Sequence, residues 1–544
     1  MVTAGNPVEA QVVDFLVAHE AELRPRWCAQ QEAEWRAATT GRPEAWEEAA
    51  AARVAVQRLY ADPAAARTVA RWLASGEVRD PVLRRSLERL HRAYTTERVP
   101  DDLRAEIAAR AAALEARVAG FRPVVDGERL SLQELRERWR AERCLRRRRR
   151  YWEASKAIGP IVAGPLRRLV ALRNRAAREV GFADHYQLAL WAQELEPTAL
   201  AAWQETFARR SQAIAERVWA DLRRASERRF GESIDRLEPW HFDDPFAQEA
   251  PDDETLTDDA VGVPDPVGVA TEFFRRLGLP VEGVLARSDL YEREGKDHHA
   301  FCLDVDRAGD VRVLCNLRPT QSSLATLLHE LGHAVYDLHL PASLPFVLRE
   351  PAHIAATEAV ALLFGRLPHQ PEWLAQAAGI RLEAARARAM RRRAAVQLVV
   401  ACRWMLVMMA FERTLYAAPH RPDLGRVWWN LVARYQGIAP PSDRLEGHDW
   451  ATKTHLVGAP VYYHNYLLGE CAASQLARGL QAAAGAPWGT PVPRWGQVLV
   501  ERLFAPGATR PFDAWLRHAC GQPLGVQAWL EDVGAACRPQ EQPA

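Results

Sequence analysis

From about residue 8 to residue 235 apolar positions recur at intervals of three and four, among alanine, arginine, glutamate and leucine. That spacing predicts helix after helix. Residues 151–180 are typical, with breaks expected at Gly159-Pro160 and Gly164-Pro165. The rhythm is lost over 238–266, an acidic, proline-rich stretch that reads as a long loop or lid. Two-residue alternation then appears in His299–Asp306 and Asp310–Leu317, around Arg307-Ala308-Gly309, and predicts a β-hairpin. Helical spacing returns near 321 and continues to the end, with breaks near 418–425, 437–447 and 485–494. The expectation is a mainly α protein with one small β element. It would form a single unit, 1–544, with a helical N-terminal part (1–237), an acidic loop (238–266) and a C-terminal part (267–544).

Composition narrows the class. The 544 residues are 48% hydrophobic and 26% charged, with a net charge of +1, which is ordinary for a folded protein. No overall field recruits nucleic acid or an anionic membrane. No run of about 18 apolar residues is evident, so no spanning helix is expected. The N-terminus lacks a basic stretch followed by an apolar segment and a small-residue cleavage site, so the expected location is the cytoplasm. The eight cysteines are scattered and none forms C-x-x-C, which argues against a zinc ribbon, and no disulfide is expected. The five-arginine run Arg146–Arg150 is expected to be a solvated helix face rather than an RNA-binding patch. Only Lys156, Lys296 and Lys453 are lysines among 71 basic residues. Arginine does not substitute for a compact ammonium, so these three positions merit attention.

The chemistry concentrates in ATLLHELGHAVYDLHL, which contains His329-Glu330-Leu331-Gly332-His333. Two histidines four apart on a helix project from one face and can share a Zn²⁺ at about 2.0–2.1 Å. Glu330 beside them can take a proton from a water activated there. A catalytic zinc needs a third protein ligand. Three candidates compete. His339 has the ten-residue spacing of metzincins, but Tyr336 replaces the glycine that would turn the chain back. Asp337 faces the same side one turn further on. Glu358, in the helical stretch HIAATEAVALLFGRL, would reach the metal if a second helix packed across the first, and it is the preferred ligand.

The segment LHELGHAVYDLHLPASLPFVLREPAHIAATEAVAL resembles the active-site segment of the peptidyl-dipeptidase A (angiotensin-converting enzyme) family, and also that of the related thimet-oligopeptidase-like families. WWNLVARYQGIAPP (428–441), Lys453-Thr454-His455, the stretch YYHNYLLGE, His299-Ala300, RPFDAWLRHACGQPL (510–524) and YWEASKAIGP are similar to other family segments. The resemblance implies a two-lobed helical fold around a deep channel, with one Zn²⁺ per chain held by His329, His333 and Glu358. It implies Glu330 as general base and acid, and His455 and Tyr466 as donors to the oxyanion. It implies Lys453 and Tyr463 on the substrate's C-terminal carboxylate, with His299 on the peptide backbone; Tyr462 and Tyr463 could exchange roles. The substrate would be an oligopeptide, with no nucleic acid or membrane as partner.

The chain departs from the family in three places. Leu362 stands where the family has an aspartate that orients a metal-binding histidine, so another group must orient the histidines here. His464-Asn465 replaces an arginine of a chloride site, and Phe242 occupies the place of a carboxylate-binding glutamine. The expected function is zinc-dependent hydrolysis of short peptides with release of C-terminal dipeptides. An oligoendopeptidase and a catalytically silent helical binding protein are the alternatives.

Overall fold

The computed structural model describes residues 6–251 and 261–537. Among these the chain is mainly helical, with two two-stranded antiparallel sheets. It divides into two compact units. The first comprises the described parts of Met1–Arg98, Asp258–Ala387 and Leu468–Trp529, and the second those of Val99–Thr257, Arg388–Leu467 and Leu530–Ala544.

The first unit opens with the helices Pro7–Thr40, Pro43–Tyr60, Pro63–Ser75 and Pro81–Glu97. Each begins with a proline, whose missing N–H is no loss in a first turn. Asn6, Asp62 and Asp80 cap three of them with side-chain oxygens on the first free N–H groups. Their apolar faces, including Leu23, Val69, Leu87, Leu90 and Tyr94, pack with Phe346 and Leu348 into one core. The expected hairpin forms as Phe301–Asp304 paired with Val311–Leu314. It is shorter than its alternating pattern. Asp304 and Asp306 carboxylates accept the N–H groups of Arg307, Ala308 and Asp310, and Arg307 takes a positive φ of 51° to close the turn.

The second unit contains the helices Asp101–Ala119, Leu132–Ala141, Leu145–Lys156, Gly159–Glu179, His185–Ala192, Pro197–Phe230 and Leu424–Gln436. Gly159-Pro160 starts a helix as expected, but Gly164-Pro165 breaks nothing: Pro165 lies inside Gly159–Glu179. The carbonyl one turn earlier, whose partner proline removes, belongs to Ile161 on an exposed face, where water can serve it. A small hairpin, Val124–Val125 with Glu128–Arg129, was not expected from sequence.

The arginine run is not simply a solvated face. Arg148 is fully buried. Its guanidinium donates to the carbonyls of Trp139, Trp240 and Phe242 and to Asp243 at 2.7–2.8 Å. Helical periodicity turns one of five arginines inward. Arg149 and Arg150 stay outside and pair with Glu153, Asp443 and Asp126. Through residue 251 the acidic stretch is the expected loop, apart from a short turn of helix at Pro239–His241, and it is pinned to the unit's core. Asp243 binds Arg148 and Arg229, and the buried Asp244 carboxylate accepts the N–H groups of Phe246, Gln248 and Glu249. Residues 252–260 of that stretch lie outside the described residues.

One described helix, Ala384–Ala417, has an 18-residue window apolar enough to cross a membrane, which the sequence expectation overlooked. That window is 67% buried in protein, as in a core helix. All eight cysteines are free thiols.

Candidate metal centre

Thr320 caps the Gln321–Leu338 helix by accepting the Ser323 N–H at 3.1 Å. Leu324, Leu327, Leu328, Leu331 and Val335 are fully buried along it. The opposite face therefore carries His329 and His333, whose ring centroids are 5.0 Å apart. The Ile354–Gly365 helix starts at His353, which caps it with ring Nδ1 on the Ala355 N–H at 2.9 Å. The two helices press together at Gly332. A Cβ there would stand 2.7 Å from Ala361 Cα and 3.0 Å from the Phe364 ring, so only glycine permits the crossing. Glu358 is backed on its other side by Gly469, where a Cβ would approach the glutamate's own Cβ to 3.0 Å.

This packing brings Glu358, rather than His339 or Asp337, to the two histidines. One donor atom from each of His329, His333 and Glu358 lies within 4.8 Å of the others, the one such group among the described residues. His329 Nε2 is 3.8 Å from Glu358 Oε2. Donors about 2.0–2.2 Å from a tetrahedral ion lie about 3.3–3.6 Å apart, so small rotamer adjustments bring these onto one ion. Two imidazoles and one carboxylate are a zinc donor set that leaves a fourth position open. His339 is not in the group. It ends its helix, its Nδ1–H donates to the Val335 carbonyl at 2.8 Å, and its ring packs on Phe504. Tyr336, at the place of the metzincin glycine, is buried against Phe504 and Trp515 and keeps the helix straight. Asp337 also lies outside the group; burial and the nearby Asp304 raise its carboxyl well above the usual range.

The electrostatics suit a cation. Burial lowers His329 to about 4, and burial with the neighbouring His329 pushes His333 well below its ordinary value. Both imidazoles are neutral at pH 7, the ligating form. Glu330 is pushed up to about 8 by burial and by the charge of Glu358, while the Cys302 N–H bonded to it pulls the other way. A divalent cation between the carboxylates would offset their repulsion. The donation from Cys302 follows from the hairpin register. Val305 N–H pairs inward with Asp310, so at two-residue periodicity the Cys302 N–H faces away from the partner strand. His299, exposed just before this strand, has its backbone N–H on Asp297.

The orienting group missing at Leu362 is supplied elsewhere. His333 Nδ1 and Thr357 Oγ1 are 2.6 Å apart. With Nε2 kept for a metal, Nδ1–H donates to the hydroxyl and fixes the ring. The residue before the carboxylate ligand carries this bond. No motif pointed to it.

The other expected site residues lie together in the second unit. Tyr463 is buried, its ring 5.2 Å from that of His455, 5.7 Å from that of Tyr466 and 6.0 Å from that of Trp404. Lys453 Nζ sits 5.7 Å from the Tyr463 ring centroid. Tyr462 instead packs on Tyr466, at 5.0 Å, so Tyr463 is the tyrosine beside the lysine. Lys453 also donates to Gln248 Oε1 at 2.9 Å. A glutamine therefore does stand at this lysine, brought by the 246–249 turn and not by the position of Phe242. Where the arginine is missing, Gln193 Oε1 accepts from both His464 Nε2–H and Asn465 Nδ2–H. All three lysines are buried, Lys156 to 2%, Lys296 to 5% and Lys453 to 6% exposure. Lys296 donates to the carbonyls of Asp289, Tyr291 and Cys315 and to the Asp289 carboxylate, a compact cage that a guanidinium would not fit.

Against known proteins, the family described as angiotensin-converting enzyme matches residues 6–238 and 264–490. Angiotensin-converting enzyme of Rattus norvegicus is 26% identical over 359 residues, 56% of this chain and 25% of the relative. That of Haematobia irritans exigua is 26% identical over 297 residues, 48% of each. That of Mesocricetus auratus is 24% identical over 431 residues, 70% of this chain and 31% of the relative. The chain thus spans a quarter to about half the length of these curated relatives.

Proposed function

The chain belongs to the angiotensin-converting enzyme family, and from that premise we propose that it is a zinc peptidase releasing dipeptides from the C-termini of short peptides. The observation that carries the reading is the convergence of His329, His333 and Glu358 from two crossed helices, with Glu330 beside them. These three would hold the zinc, which when bound polarises a carbonyl and makes water a nucleophile near neutral pH.

The chain's own groups do the rest. Glu330 accepts the proton as water oxygen bonds to the peptide carbon, and returns it to the amide nitrogen as the C–N bond breaks. The Cys302 N–H holds that carboxylate in place. His455 and the Tyr466 hydroxyl donate to the developing oxyanion, each donor worth about 10²–10³ in rate. His299 hydrogen-bonds the peptide backbone. Lys453, Gln248 and Tyr463 receive the terminal carboxylate through charge and hydrogen bonds. Lys453 is buried and already bonded to Gln248, which favours release of a terminal fragment over internal cutting.

Mass-spectrometric mapping of products from peptides with free or amidated C-termini tests this. Dipeptides from free ends alone, with turnover abolished in Glu330→Gln, are expected. Internal cuts indifferent to amidation would make the protein an oligoendopeptidase. Zinc binding without cleavage would make it a silent binding protein.

A further inference from the structure

Between His455 and Tyr463 the chain turns through Val461, which has a positive φ of 54° although it is β-branched and 2% exposed. Such a residue is a true backbone outlier and persists only where its surroundings hold it. The holding groups are visible. The Val461 N–H donates to Glu412 Oε1 at 2.7 Å in a buried bond. On the other arm of the turn, the Arg173 guanidinium donates to the carbonyls of Leu456 and Val457 at 2.9 and 2.5 Å. Arg173 is itself set by Tyr416, whose hydroxyl accepts at 3.3 Å and whose carbonyl accepts the Asn174 amide at 2.7 Å. Glu412 is 2% exposed and Arg173 is 7% exposed, so neither can be replaced by water without rearrangement.

We propose that Glu412 and Arg173 are positioning residues for peptide hydrolysis, clamping both arms of the 456–461 turn so that His455, Tyr463 and Tyr466 hold one arrangement. This rests on the reading that those three residues act on substrate. The three rings pack together, so their register depends on the path of the chain between them. On that path Val461 takes up a conformation that regular structure would not allow. Burial pushes the Glu412 carboxyl up to about 8, so a neutral oxygen acceptor serves the bond equally well. A carboxamide can therefore replace it, and an alkyl chain cannot.

The test compares Glu412→Gln with Glu412→Leu in the full-length zinc-loaded protein. Two readouts are used: hydrogen–deuterium exchange of the 456–463 segment, and kcat on a free-ended peptide with zinc content measured in parallel. Glu412→Gln is expected to stay within about threefold of wild type in both. Glu412→Leu is expected to exchange faster in this segment and to lose about 10²-fold in kcat at full zinc occupancy, the cost of misplacing donors by about 1 Å. If Glu412→Leu fails to fold, Glu412→Asp, one methylene short of the N–H, is expected to give faster exchange and about tenfold loss. Wild-type exchange and kcat in the leucine or aspartate variant would overturn the clamp. Should the wild-type protein lack peptidase activity, the functional reading fails, and the exchange data still decide whether the clamp exists.

Discussion

Thr357→Val removes the hydroxyl beside His333 and keeps the side chain's shape. The bond it removes is 2.6 Å long, and no other partner for His333 Nδ1 is present among the described residues. The ring belongs to the metal group, whose donors lie within 4.8 Å of one another and must close to about 3.3–3.6 Å around an ion. Without the hydroxyl a half-buried Nδ1–H is left unpaired, at a cost of about 1–3 kcal/mol, unless the ring turns or changes tautomer. Turning the ring points Nε2 away from the ion, and the other tautomer puts a proton on Nε2, so either change costs the metal a ligand. Loss of such an orienting partner weakens metal binding by about 10–100-fold, which is about 1.4–2.7 kcal/mol. Competition with a chromophoric chelator measures this directly. The zinc Kd of Thr357→Val is expected to rise by about 10–100-fold, with kcat at saturating zinc nearly unchanged. A Kd within twofold of wild type would refute the role given to Thr357.

Other outcomes follow from the same geometry. Gly332→Ala places a methyl 2.7 Å from Ala361 Cα and should cost about 1–3 kcal/mol in chemical denaturation, with weaker zinc binding; unchanged stability would deny the tight crossing. Lys296→Arg should destabilise by a similar or larger amount although charge is kept, because the ammonium cage is closed; an unchanged denaturation midpoint would deny that lysine is required. Burial lowers Lys156 to about 7 in the folded protein, from an ordinary value near 10.5. The unfolded chain therefore binds more protons between these values, and stability contributed here rises with pH from about 7 to about 10.5. Wild type should gain urea resistance between pH 7 and pH 9.5 relative to Lys156→Met; parallel pH profiles for the two proteins would contradict this.

Much of the centre was legible because its chemistry is local. His329, Glu330 and His333 share one helical turn, and spacing alone places the two imidazoles on one face. The choice of Glu358 over His339 was legible from Tyr336, which cannot end a helix as glycine does, and the helix indeed runs on to Leu338. What stayed hidden depends on tertiary packing. Thr357 carries no motif and acts only because two helices cross at Gly332. Gln248 sits in an irregular acidic stretch, and nothing in its neighbours foretells that Asp244 folds the turn toward Lys453. Arg148 looked like its four neighbours, since a run of one residue type conceals which member a helix turns inward. The scarcity of lysine was a compositional signal that carried over: all three lysines are buried, and at Lys296 the acceptors close around a compact ammonium.

The proposed chemistry depends on which three side chains grip the metal. Zinc stoichiometry and affinity, measured on wild type and on Glu358→Ala and His339→Ala, address that without reference to any substrate. One tightly held zinc per chain in wild type and in His339→Ala, with severely weakened binding in Glu358→Ala, is the predicted result. Full zinc in Glu358→Ala with loss in His339→Ala would contradict it.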